Sequence, residues 1–379
     1  MTTAIYQLAQ QAKLDEATVD AFIESHTFPI VEDSCVTFVY RGEADAVFLQ
    51  HWIFGLPSTQ PFTRMRDSDL WFLIQEVPEG SRIEYKLEVI RRGRHESALD
   101  PLNPQQARDP SGAISVLHAK GYETPEWTQP DPEAREGSLE ELSISSEALG
   151  DEEDRLTVYR PARFRETRRY PLLVVFDGEG FLHYSPFKTI LDNLIHRLEI
   201  APMIVALCPT HSRFKDTVDD PDYARYVTEE LVPKLEETYP IDPRAWAHGL
   251  LGASVNATGA LATAWRYPGF FRRLLLQSCS FPSARTTEED RHSAVDPVWQ
   301  FVSAFRSENR APAERIFLSC GVYESRIYEN RALLPLLQTA GVDVRYVEPK
   351  DGHNWGNWQD RLREGLSWLF PGPLWMIYE

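Results

Sequence analysis

After residue 155 the chain keeps one rhythm: a short, almost wholly apolar run, a helical stretch, then another apolar run. The runs are RLTVYR, YPLLVVFDG, MIVALC, AWAHGLLGAS, RLLLQSCS, RIFLSCG and VDVRYVEP. Runs without polar alternation are strands buried on both faces, and strands separated by helices must cross over between neighbours. The expectation is therefore an α/β fold with a mainly parallel sheet. The clearest helix is expected from Asp222, after Pro221, with Tyr223, Tyr226, Val227, Leu231 and Leu235 on one face.

The first third has a different rhythm. CVTFVYRG, AVFLQHWIF, DLWFLIQEV and RIEYKLEVI are rich in β-branched and aromatic residues and are punctuated by turn signals such as Pro78-Glu79-Gly80. No helical pattern interrupts them, which predicts an antiparallel β-sandwich. The expected division is a helical segment over 1–30, a sandwich over 31–121, and a linker over 122–150 rich in Pro, Glu and Ser. That linker holds at most one strand, LEELSISS, and the α/β domain follows over 151–379.

Bulk properties narrow the function class. A net charge of −18 over 379 residues argues against binding nucleic acid, which needs a basic surface. A few clustered arginines still allow an anionic small molecule. The ten Trp and fifteen Tyr suit sugar or catechol contacts and suit core packing equally. Cys35, Cys208, Cys279 and Cys320 show no metal spacing, and the last three end apolar runs, so buried free thiols are expected. The opening residues lack a basic stretch followed by an apolar core, and no run approaches the roughly 20 apolar residues of a membrane span. A cytoplasmic protein with no membrane partner and no cofactor is expected; the sequence is silent on oligomeric state.

One turn suggests chemistry. Residues 250–259, LLGASVNATG, nearly spell G-x-S-x-G, the turn that presents a nucleophilic serine between a strand and a helix. Gly252 and Ser254 fit, but Asn256 stands where the last glycine belongs. The alternative is that Ser254 merely caps the next helix. A serine nucleophile needs a base. His353, in the loop DGHNWGNW after the last strand, has the chain order and place for it. The acid that orients it is expected between the two; Glu324 in GVYES ranks first, ahead of Asp351 and Asp343. The oxyanion donors are expected at Val255 and in the turn DGEGF, at Gly178 and Glu179.

These residues, together with DSDLWFLIQEVPEGSRIEYKLEV, DPLNP from Asp100 to Pro104, LLVVFDGEGF, PTHSRFKD, EELVPKLEETYPI, GVYESRIYENR and DGHNW, resemble the enterochelin (enterobactin) esterases. The resemblance spans nearly the whole chain. It implies an immunoglobulin-like N-terminal domain, an esterase D-like α/β-hydrolase domain with Ser254 as nucleophile and His353 as base, and a ferric catecholate siderophore as the small-molecule ester substrate. A cationic patch of Arg213, Arg326 and Lys350 is then expected near the serine, although Arg213 has Asp216 close by as a ready partner. Two other readings stay open: a general carboxylesterase for another acyl or sugar ester, and a binding protein whose elbow has drifted at Asn256.

Overall fold

The computed structural model describes residues 3–11, 14–66, 68–150, 152–209, 220–282, 297–308 and 310–373. Arg213 and Asp216 lie outside the described residues. The chain divides into two units. One comprises residues 1–124 with the short segments 321–325 and 349–354, and the other comprises the rest.

In the smaller unit, two antiparallel sheets carry the β-rich first third. One has four strands, in the order Ile30–Glu32, Cys35–Arg41, Leu70–Glu76, Thr63–Arg64. The other has six, centred on Arg82–Arg91. Alternate residues of Ala46–His51 and of Arg82–Arg91 are buried, as period-two side-chain alternation requires. Phe38 and Trp71 from one sheet, with Leu49, Tyr85 and Leu87 from the other, share one apolar core. The helices Ala4–Ala9 and Glu16–Glu24 bury Ile5, Leu8, Val19 and Phe22 with Val39 and Leu70 of the four-stranded sheet. The DPLNP turn has a structural task. Tyr85 donates to Asp100 Oδ2 at 2.7 Å, and Asn103 Nδ2 donates to the Tyr85 hydroxyl at 2.9 Å and to Val116 O at 2.8 Å. This closes a fully buried polar knot that would be costly if any member were left unpaired.

The larger unit is built on an eight-stranded sheet. Its order is Ser138–Ser146, Glu152–Arg160, Ile204–Leu207, Leu172–Val175, His248–Ala253, Arg273–Gln277, Arg315–Ser319, Asp343–Val347. Glu152–Arg160 pairs antiparallel with both of its neighbours, Ser138–Ser146 and Ile204–Leu207, and all later neighbours pair parallel. Residues 122–150, expected as a linker, thus contribute the sheet's edge strand. Its nine-residue pairing with Glu152–Arg160 gives that polar-looking segment a backbone partner at every position. Along the central strands the residues divide by parity. Val174, Leu250, Leu274 and Ile316 join the core on one face, and Leu173, Leu251, Leu275 and Phe317 the core on the other. Each side chain buried this completely contributes about 1.5–3 kcal/mol, which explains why the runs lack polar alternation.

The helix expected from Asp222 begins one residue earlier, at Pro221, capped by the Asp220 carboxylate. Over Tyr226–Leu231 its turns widen to the five-residue hydrogen-bond spacing before Val232–Thr238 resumes the ordinary helix. Pro233, which has no N–H to donate, stands at that transition and forces the ladder to shift. Cys208, Cys279 and Cys320 are buried free thiols, and burial pushes the Cys279 thiol up to about 12. Among the described residues no helix is long and apolar enough to cross a membrane.

Candidate active site

Ser254 follows the strand His248–Ala253 and precedes the helix Val255–Arg266. Its backbone is held at φ 57° and ψ −127°, a region that L-residues visit only under strain. Helix caps normally adopt extended backbone, and the Ser254 side chain makes no cap bond, so the capping alternative falls away. The turn is fixed from both sides. Ser254 N–H donates to Gln277 O of the neighbouring strand at 2.8 Å, and Ala257 N–H donates to Ser254 O at 3.1 Å.

The small residue this turn requires is Gly252. A Cβ there would lie 2.4 Å from the carbonyl oxygen of Asn256. The close approach involves the backbone of residue 256, not its side chain, and Asn256 is half-buried within the helix's first turn. The departure from G-x-S-x-G therefore leaves the elbow's geometry intact.

The DGEGF segment is the start of a helix, Gly178–Tyr184, not an open loop. Asp177 caps it from a left-handed conformation, φ 59°, and accepts from Gly180 N–H at 3.2 Å. Gly178 N–H donates to Cys208 O at 2.7 Å. That engagement removes Gly178 from the expected oxyanion donors, because an amide held by a neighbouring strand cannot also face a substrate. Glu179, next in the first helical turn, and Val255, first in the helix after the serine, occupy positions whose amides the helix itself does not use. Gly180 is required by a close approach: a Cβ would meet the Trp355 ring at 2.6 Å and the Asp177 carboxylate at 2.8 Å. Trp355 packs in turn on Phe181, Tyr184 and Trp358.

In the smaller unit, His353 Nδ1 lies 2.7 Å from Glu324 Oε2. Glu324 is 2% exposed, and its other oxygen accepts the Gly321 N–H at 2.7 Å. A carboxylate so placed accepts from Nδ1–H, which leaves Nε2 as the lone-pair nitrogen. His353 itself is exposed. Of the other acids weighed for this role, Asp351 is buried against Arg82 and Asn354, and Asp343 lies 3.5 Å from Arg315 at the start of its strand.

The remaining expected site residues have other partners. Arg326 heads the helix Ile327–Thr339, bonds Ser280 Oγ, and lies 3.5 Å from Glu329. Lys350 Nζ donates to Glu79 O at 2.7 Å. The cap Asp177, the wedge Trp355 and the buried Arg82 were not anticipated. An Asp before two glycines and a Trp after the loop histidine were their only traces in the sequence.

Comparison with known proteins follows the same lines. The Esterase family model matches residues 146–369. The iron(III) enterobactin esterase of Escherichia coli O6:H1 is 27% identical over 300 residues, covering 77% of this chain and 72% of that one. The crystal structure of the ferric enterobactin esterase of Salmonella typhimurium superposes with a TM-score of 0.75 at 20% identity, covering 92% of this chain and 98% of that one. A ferulic acid esterase from the anaerobic fungus Anaeromyces mucronatus gives a TM-score of 0.52 at 16% identity, over 64% of this chain and 94% of that one.

Proposed function

The chain belongs to the Esterase family, and from that premise we propose that it is a serine esterase that opens the ester bonds of a ferric catecholate siderophore trilactone. Membership supports hydrolase activity, and the strained backbone of Ser254 is the observation that carries the serine mechanism. In this reading Ser254 Oγ attacks the ester carbonyl while its proton passes to Nε2 of His353. Glu324 stabilises the imidazolium through Nδ1–H. The backbone N–H groups of Val255 and Glu179 receive the oxyanion. The protonated His353 then donates to the departing alkoxide, and water, deprotonated by the same ring, releases the acyl group from Ser254.

The sheet register orders the strands that launch the elbow and the two loops. Ala253, Gln277, Ser319 and Val347 are successive partners across four parallel strands. The elbow and both loops thus leave the sheet at its carboxyl edge, where open α/β sheets hold their ligands.

Support for the siderophore comes from coverage. The likeness to enterobactin esterase structures extends over both units, whereas the likeness to the ferulic acid esterase stops at 64% of the chain. In the same reading the N-terminal unit is an immunoglobulin-like sandwich and the protein acts in the cytoplasm. One observation favours a neutral ester instead: Arg326 and Lys350 both have partners within the protein.

A paired assay separates the readings. Wild type and Ser254→Ala are treated with a fluorophosphonate probe and assayed on a siderophore trilactone and on a short p-nitrophenyl ester. Labelling and trilactone turnover that vanish together in Ser254→Ala are expected. Turnover of the simple ester alone would overturn the siderophore assignment, and neither labelling nor turnover would overturn the esterase.

A further inference from the structure

The loops that carry Glu324 and His353 cluster with the N-terminal sandwich although strands of the other unit launch them. The ties come from the start of one sandwich strand, Arg82–Arg91, from the residues just before it, and from Phe54. Arg82 is 5% exposed. Its N–H donates to Lys350 O at 3.0 Å. Its Nη1 donates to Asn354 Oδ1 at 2.8 Å and lies 3.5 Å from Asp351 Oδ1, and its Nη2 donates to Glu84 Oε1 at 2.9 Å. Asp351 Oδ1 also accepts from Asn354 Nδ2 at 2.8 Å and from Gly352 N–H at 2.7 Å. The guanidinium therefore grips the chain on both sides of His353.

The acid's loop is held by Ser81, just before that strand, and by Phe54. Ser81 Oγ and the Tyr323 hydroxyl are 2.6 Å apart, and Phe54 N–H donates to Tyr323 O at 2.8 Å. The two loops are then joined by Val322 N–H to Pro349 O at 2.9 Å and Tyr323 N–H to Asp351 O at 3.1 Å.

A buried ion cluster is weak evidence for stability, because well-packed apolar residues serve that purpose as well or better. What a planar fork supplies is geometry: several donors at fixed angles, reaching partners on different segments at once. Burial works against the Arg82 charge, but Asp351 and Glu84 outweigh it and keep the guanidinium protonated. We propose that Arg82 is a positioning residue: through Asn354 and Asp351 it fixes the backbone around His353 and so sets the imidazole against Glu324. The sandwich is then a working part of the relay, and its strand edge fixes both members of the acid–base pair. The consequence for turnover rests on the esterase reading; the positioning itself does not.

The test compares full-length wild type with Arg82→Lys, Asn354→Ala and, as a control on the same strand, Glu88→Gln. Four quantities are read: kcat and KM on a p-nitrophenyl ester, the low-field proton resonance of His353 Nδ1–H, and the melting midpoint. Both test variants are expected to lose kcat on the order of 10- to 100-fold, as a misplaced catalytic group does. KM should stay within about threefold, since ground-state binding is untouched. The low-field resonance should shift or disappear in both and persist in the control. If Arg82→Lys fails to fold, Asn354→Ala decides, because it leaves the Arg82–Glu84 pair in place. Folded variants with the wild-type resonance and wild-type kcat would overturn the proposal. A resonance lost in Asn354→Ala in a protein whose wild type turns over no ester would support the positioning and count against the esterase alone.

Discussion

Glu324 and His353 stand 29 residues apart in the chain and meet at 2.7 Å through Oε2 and Nδ1. The carboxylate is buried, with Oε2 on the ring and Oε1 accepting from Gly321 N–H. Glu324→Gln replaces that acceptor with an amide that can present N–H to Nδ1 and so favour the wrong tautomer. The expected result is a fall in kcat of about 10³- to 10⁴-fold with KM little changed. Steady-state kinetics, with fluorophosphonate labelling of Ser254 slowed in parallel, checks it. A kcat within tenfold of wild type would assign the acid's role elsewhere.

The elbow gives a contrasting pair. Gly252→Ala would drive a Cβ to 2.4 Å from Asn256 O, a backbone atom that cannot move without shifting the helix Val255–Arg266. The expected outcome is about 1–3 kcal/mol of destabilisation together with loss of Ser254 labelling. Asn256→Ala alters only a half-buried side chain, leaving the backbone that Gly252 approaches unchanged, and should keep labelling within a few-fold of wild type. Equal losses in the two variants would show that the Asn256 side chain itself shapes the turn.

How far the sequence could be read follows the range of the forces involved. The parallel sheet was legible because every residue of runs such as LLVV is buried and the pattern is local. The strand-to-helix turn at Ser254 and the loops that hold Glu324 and His353 were legible because chain order and strand ends are one-dimensional facts. Gly178 was misjudged as a donor because its engagement with Cys208 O depends on which strand lies alongside. The strand Ser138–Ser146 was legible as LEELSISS, but its place at the sheet's edge was not, because only its pairing with Glu152–Arg160 defines that. The grip of Arg82 on Asn354 spans 272 residues, and no window of sequence contains both.

Trp355 packs on the start of the helix Gly178–Tyr184. Its ring contacts Phe181 edge-on at 5.2 Å and sits where any side chain on Gly180 would fall. Trp355→Ala should cost about 3–5 kcal/mol, the usual penalty for emptying a buried aromatic position. Trp355→Phe keeps the edge contact and should recover more than half of that loss. Denaturation midpoints of the three proteins check the ranking. A Trp355→Ala protein as stable as wild type would mean the aromatic cluster closes over the gap.

The pH dependence of the sandwich can be traced to His118, the last residue of the strand Gly112–His118. Burial, aided by the nearby Arg82 charge, lowers its pKa to about 4 from 6.5. In the unfolded chain the imidazole protonates near 6.5, so between 6.5 and 4 the unfolded state binds the extra proton and stability rises with pH. The contribution is whole above 6.5 and is lost as pH falls towards 4. After allowance for partial exposure the change is on the order of 1–2 kcal/mol. His51, lowered by burial as well, adds a smaller change of the same sign. Hydrogen exchange of the Gly112–His118 amides, converted to opening free energies, isolates this strand from events elsewhere in the chain. Wild type should lose protection between pH 6.5 and 4.5, and His118→Gln, which has no proton to gain, should lose less. Identical slopes in the two proteins would place the titrating group at another residue.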